Sequence, residues 1–200
     1  MKNSVIACAA SGPSLTLADC QLLYEAEIPI IAVNDSWRVA PFCSAIYAAD
    51  FAWWREHASK IPVTAARWCG SRYTAIHFGI SYLQTAIPGS FNSGQRAIEL
   101  AATLGASRIL LLGYDCSLKR GIHWHGAHAA GRLRNPTHES VIAWQGEFSR
   151  LAAACSGVEI VNCSRDTSLK CFQRERLETA IERLSSHPVP VRRSSVHRTG

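Results

Sequence analysis

The feature that most constrains this chain is a set of short apolar runs set between segments of helical spacing. They lie in Ser4 to Ala9, Ile28 to Val33 and Arg108 to Leu112. A strand that is apolar at nearly every position, rather than at every second one, is covered on both faces. Strands of that kind belong to a parallel sheet between two layers of helices. Right-handed crossovers then give an α/β fold: a three-layer Rossmann-like domain, a mainly parallel sheet with helices on both faces.

The intervening segments carry helix signals. Leu15 to Glu25 has Leu15, Leu22, Leu23 and Ala26 at helical spacing, and Thr16-Leu17-Ala18-Asp19 fits a capping box. Ala45 to Ala48 reads as a strand, followed by Asp50 as N-cap of a helix from Phe51 to His57. Val63 to Trp68 reads as another strand. Ser93 to Leu104 is a helix that stops at Gly105. Asn135 is expected to cap, and Pro136 to open, a helix running to about Cys155. Val158 to Val161 is the expected last strand and Leu177 to Leu184 the last helix. A single domain over residues 1–185 follows, with 186–200 as a disordered basic tail containing Arg192, Arg193 and Arg198. That tail reads as solvated, with a nucleic-acid arm as the other reading.

Composition removes some function classes. The chain is 48% hydrophobic and 18% charged, which excludes disorder for its bulk. No stretch approaches the roughly 18 uncharged apolar residues of a membrane span. The apolar start, Val5 to Ala10, runs straight into Ser11-Gly12-Pro13-Ser14 and is too short for a secretory leader. The eight cysteines are widely spaced with no Cys-x-x-Cys pair, so they read as reduced, mostly buried thiols of a cytoplasmic protein. A net charge of +6 permits phosphate-bearing partners.

In a parallel sheet, ligands bind beyond the carboxyl ends of the strands. Polar and small residues recur there: Ser11, Gly12, Pro13 and Ser14, then Asn34, then Asp50, then Asp115, with Asn92, Ser93 and Gly94 opening a helix. The glycine turn and the helix N-termini are expected to meet an anion. A plain reading is that turns and caps are polar anyway. Four of the eight histidines fall between His123 and His138, in the longest loop. His123, His125 and His128 suit acid–base chemistry or a phosphate contact. They also suit a zinc site, or a surface loop with no ligand. Lys119, Arg120, Arg132 and Arg134 stand ready to close over a diphosphate or simply to keep the loop soluble. Trp53 and Trp54 read as core packing ahead of substrate platforms.

The motifs Ala10-Ser11-Gly12-Pro13-Ser14-Leu15, Ala32-Val33-Asn34-Asp35, Tyr47-Ala48-Ala49-Asp50, Asn92-Ser93-Gly94, Leu112-Gly113-Tyr114-Asp115 and His123-Trp124-His125-Gly126 resemble a family of uncharacterised phage and prophage proteins. The resemblance covers about Ser4 to Leu184, and it implies expression in the host cytoplasm. More distantly, the motifs resemble family-42 sialyltransferases and archaeal-type 6-hydroxymethylpterin diphosphokinases. The sialyltransferase likeness implies a donor-phosphate turn at Gly12 to Leu15, with Ser11 replacing an asparagine. It implies nucleotide contacts at Asn34 and Ser93 and a catalytic histidine at His125 or His128. Two donor-binding tyrosines of that family have no counterpart.

Two classes of function follow. In the first the protein is a transferase that takes a nucleotide-activated small-molecule donor and a hydroxyl acceptor. A histidine is its general base, and Asp115 meets the ribose or a metal. Sugar transfer and diphosphate transfer both fit, and a magnesium ion held by Asp50 or Asp115 would favour the latter. In the second the protein is a nucleotide-binding or DNA-associated phage accessory protein without catalysis.

Overall fold

The computed structural model describes residues 4–62, 64–89, 91–127, 133 and 135–185. Among the described residues eight strands form one sheet, and every neighbouring pair is parallel. The elements follow in chain order: β1 (Val5–Ala9), α1 (Leu17–Glu25), β2 (Ile30–Val33), β3 (Ala45–Tyr47), α2 (Phe51–His57), β4 (Ala66–Cys69), α3 (Arg72–Phe78), β5 (Ser81–Tyr82), α4 (Ser93–Thr103), β6 (Arg108–Leu112), α5 (His138–Ala154), β7 (Glu159–Asn162), β8 (Gln173–Arg174) and α6 (Leu177–Ser185). A turn of 3₁₀ helix, Asn34–Arg38, follows β2. The sheet order is β5-β4-β3-β2-β1-β6-β7-β8.

Successive side chains along each strand enter opposite layers. Ile6, Cys8, Ile31, Val33, Ile109 and Leu111 face the layer containing α4 and α5. Ala7, Ala9, Ile30, Ala32, Leu110 and Leu112 face the layer containing α1, α2, α3 and α6. This is why those runs are apolar at both parities. The chain steps outward from β1 to β5, then returns through α4 to β6 on the other side of β1. Reversing the direction of travel at constant crossover handedness moves the connecting helix to the other face, as α4 and α5 show.

Several boundaries differ from the sequence reading. The cap of α5 is Thr137, whose side chain exchanges bonds with Ser140 in a capping box, and not Asn135. Asp50 holds the N-cap position of α2 but makes no capping side-chain bond. The strand expected at Val63 to Trp68 is displaced to Ala66–Cys69. Val158 to Val161 corresponds to β7, which is not the last strand, because β8 follows it. The helix α3 and the two-residue strands β5 and β8 are not among the elements expected from the sequence. The expected tail, 186–200, lies outside the described residues. No helix among the described residues is long and apolar enough to cross a membrane.

Candidate functional site

The order of strands reverses between β1 and β6. The connection after β1 leads to α1 in one layer, and the connection after β6 leads to α5 in the other. Loops that part in this way leave a crevice at the carboxyl ends. A cleft of about 500 Å³ opens there. Ser11, Gly12, Pro13, Asn34, Asp50, Asn92, Ser93, Gly94, Asp115 and His123 all line it.

The floor is built from the two central strand ends. Gly113 takes a left-handed backbone, φ 68°, and its carbonyl accepts from the Gly12 amide at 2.9 Å. A Cβ on Gly12 would run into the Asp115 carboxylate and the Gly113 carbonyl. Asp115 is buried and accepts from the Ser14 amide at 2.9 Å and from the Ser14 hydroxyl. The Leu15 amide bonds back to Gly12. The glycine turn is therefore closed around an internal carboxylate, and its Gly12, Ser14 and Leu15 amides are already occupied. Ser14 is buried beneath the cleft rather than lining it. Burial pushes the Asp115 carboxyl above its ordinary value, against the pull of the two Ser14 bonds.

The walls come from the outer loops. Asn34 is left-handed at φ 50°, a conformation a short carboxamide tolerates. Its Oδ1 is buried without a hydrogen bond. Behind it, Asp35 accepts from the Trp53 indole at 3.2 Å, and the His57 ring packs tilted against Trp53 at 4.8 Å. Burial holds the His57 pKa below its usual value, partly offset by Asp35. Trp53 and Trp54 are core residues, although Trp53 shows an edge to the cleft. On the opposite wall, Asn92 caps α4 in a reciprocal box with Gln95. The Ser93 hydroxyl accepts from the Ala49 amide at 3.0 Å, so it ties the end of β3 to α4. The first-turn amides at Ser93 and Gly94 have no intrahelical acceptor, and the positive end of the helix dipole lies there. Asp50, at the mouth, is exposed.

The histidine loop reaches the same edge. The Trp124 amide donates to the Ser11 carbonyl at 3.0 Å, which seats the loop on the glycine turn. His123 faces the cleft, and His125 stacks parallel on it at 5.0 Å without lining it. His128, Arg132 and Arg134 lie outside the described residues. Among the described residues no three His, Cys, Asp or Glu side chains gather to hold a metal ion.

Sequence reasoning missed the apolar half of the site. Tyr114 lies under the cleft with its hydroxyl on the Gly94 carbonyl at 2.9 Å. Ser140, Trp144 and Phe148 line the far side from α5. Their i, i+4, i+8 spacing is a helix-face signal that could have found them. Phe91 completes the rim, held by the Arg96 guanidinium 4.7 Å from its ring.

No protein-family model matches the chain, and no curated protein matches it. Among solved structures, the fold is similar to the MAf glycosyltransferase from Magnetospirillum magneticum AMB-1, with a TM-score of 0.62 at 12% identity. The match covers 88% of this chain and 34% of that one, so the chain spans about a third of that protein's length. At this identity the likeness is one of fold.

Proposed function

We propose that this protein transfers a glycosyl group from a nucleotide-activated donor, bound in the switch-point cleft, to an acceptor hydroxyl. The observation that carries the reading is the convergence on one cleft of Asn34, Asp115, the N-terminus of α4 and His123. The likeness in fold to a glycosyltransferase supports the same class of chemistry.

The roles follow from which groups are available. The donor phosphate is assigned to the Ser93 and Gly94 amides rather than to the glycine turn, whose amides are occupied by Asp115 and Gly113. Asn34 has a buried carboxamide oxygen ready to accept from a base or ribose. His123 takes the proton of the acceptor hydroxyl as that oxygen attacks the sugar carbon. The bond from that carbon to the phosphate oxygen breaks, and the electron pair leaves on the phosphate, which the helix amides stabilise. His125 holds the His123 ring by stacking. Asp115 fixes the floor and leaves its remaining lone pairs to a sugar hydroxyl.

A second reading, diphosphate transfer, is favoured by one observation: the Asp50 carboxylate at the mouth is not used as a helix cap. A magnesium ion carried by a nucleotide would find its ligand there.

A thermal-shift screen against CMP, UMP, GDP, ATP and their sugar conjugates, with and without magnesium, tests both readings. A ligand at a hundred times its dissociation constant adds about 2.7 kcal/mol, a rise of several degrees in Tm. A magnesium-dependent shift that Asp50→Asn abolishes selects diphosphate transfer. No shift with any nucleotide overturns the nucleotide-donor reading altogether.

A further inference from the structure

Phe51 opens α2 directly after Asp50, at the mouth of the cleft. Its ring lies 5.3 Å from Tyr73, 5.1 Å from His77 and 5.3 Å from Phe78, centroid to centroid. Tyr73 and His77 stand one turn apart on α3 and stack at 6.1 Å with 26° between their planes. Phe51 and Phe78 are half-buried where α2 packs on α3, but core packing does not explain the outer rings. Tyr73 is 66% exposed and the neighbouring Ile76 is 85% exposed. Contiguous exposed apolar surface marks a contact site.

The topology says where the strip works. The helices α2 and α3 begin beyond the carboxyl ends of β3 and β4, so Phe51 and Tyr73 lie on the same sheet edge as the cleft. Asp50 lines the cleft, and the strip begins with the next residue along the chain, Phe51.

We infer that the Phe51–Tyr73–His77 strip is an acceptor subsite and that the acceptor carries a sugar ring there. This rests on the transfer reading given above. A pyranose offers a C–H face to the negative face of an aromatic ring, and a rim of hydroxyls to the polar tips beside it. The strip supplies both, in the rings and in the Tyr73 hydroxyl and His77 nitrogens. An interface between protein chains takes about 800 Å² from each partner. Three exposed side chains, Tyr73, Ile76 and His77, fall well short of the roughly 20–30 residues a side of such an interface, which suits one or two sugar rings. An acceptor whose reactive hydroxyl enters the cleft lays its next ring on Tyr73, so it is an oligosaccharide or a glycoside.

Saturation-transfer NMR with maltotriose, chitotriose and N-acetyllactosamine as probes tests the subsite on the full chain. At least one probe should receive saturation on its ring protons. Tyr73→Ala should weaken its binding roughly tenfold, and Tyr73→Phe should keep it. The exposure of Tyr73 leaves the core intact in both variants, and nucleotide-induced thermal shifts should be unchanged. No saturation of any probe, or equal binding by Tyr73→Ala, overturns the subsite. Self-association of the chain that Ile76→Asp abolishes overturns it too, because the strip then belongs to a second copy. The two readings fail separately. Nucleotide shifts without saccharide contacts remove the subsite and leave the transfer reading. Saccharide contacts at Tyr73 without nucleotide shifts support the sugar site and remove the transfer reading.

Discussion

Asp115 shows how one side chain changes the meaning of a motif. In the sequence the Gly12-Pro13-Ser14 turn reads as a phosphate cradle. In the structure the Asp115 carboxylate takes the Ser14 donors, and the amide of Gly12 bonds to Gly113. Its raised pKa makes a testable statement. Between about pH 4, where the carboxyl titrates in the unfolded chain, and its higher native value, the folded state binds more protons. The Asp115 contribution to stability is then fully present below that window and is lost as pH rises through the native pKa. Urea unfolding across pH 3.5–7 should show this fall, and Asp115→Asn should flatten it. Asn34 and His123 should separate kinetically. Asn34→Gly keeps the left-handed backbone and removes the carboxamide, so nucleotide affinity should drop by ~1–3 kcal/mol in calorimetry. His123→Ala should lower turnover by ~10²–10⁴-fold with nucleotide affinity nearly intact. A histidine insensitive to substitution would instead favour a binding protein without catalysis.

At the scale of elements, a buried ion pair shapes one wall of the cleft. Arg96 and Glu99, on one face of α4, pair with each other in the interior. Arg96 also donates to the carbonyls of Ile87 and Gly89, and Glu99 accepts from the amides of Ala86 and Ile87. The pair thus organises the segment that delivers Phe91 and Asn92. Glu99→Ala leaves a buried guanidinium uncompensated and should cost ~3–5 kcal/mol in urea unfolding. Glu175→Ala, which breaks a pair with the half-exposed Arg183, should cost much less in the same measurement. The helix α3 escaped the sequence because Tyr73, Thr74, Ile76, His77 and Phe78 are middling helix formers. Its ends were legible all the same: Ser71 caps it, and Gly79 closes it at φ 63°. The strands β5 and β8 have two residues each, too few for any period to register.

At the scale of the whole molecule, all eight cysteines are free thiols, and seven of them are buried. Burial pushes the Cys8, Cys20, Cys116 and Cys163 thiols up to about 12 and Cys43 to about 11. A thiol reacts as the thiolate. A native-state titration with a chromogenic disulfide near pH 8 should therefore register at most the half-buried Cys171 quickly. The other seven should appear only in denaturant, and a second fast thiol would show that one layer opens readily.

The sequence alone determined the three-layer α/β class, because strands apolar at both parities have no other home. It also determined the edge on which polar residues gather, since that edge follows from chain direction. Ser11, Gly12, Pro13, Asn34, Asp50, Asn92, Ser93, Gly94, Asp115 and His123 line one cleft for that reason. Tertiary structure decided the rest. Whether Ser14 faces a ligand or Asp115 depends on a contact across 101 positions of chain. Which histidine enters the cleft depends on how the loop is seated, through contacts that include the bond from the Trp124 amide to Ser11. Spacing records which residues can share a face, whereas the partner of a buried polar group is fixed only when distant segments compete for it during packing.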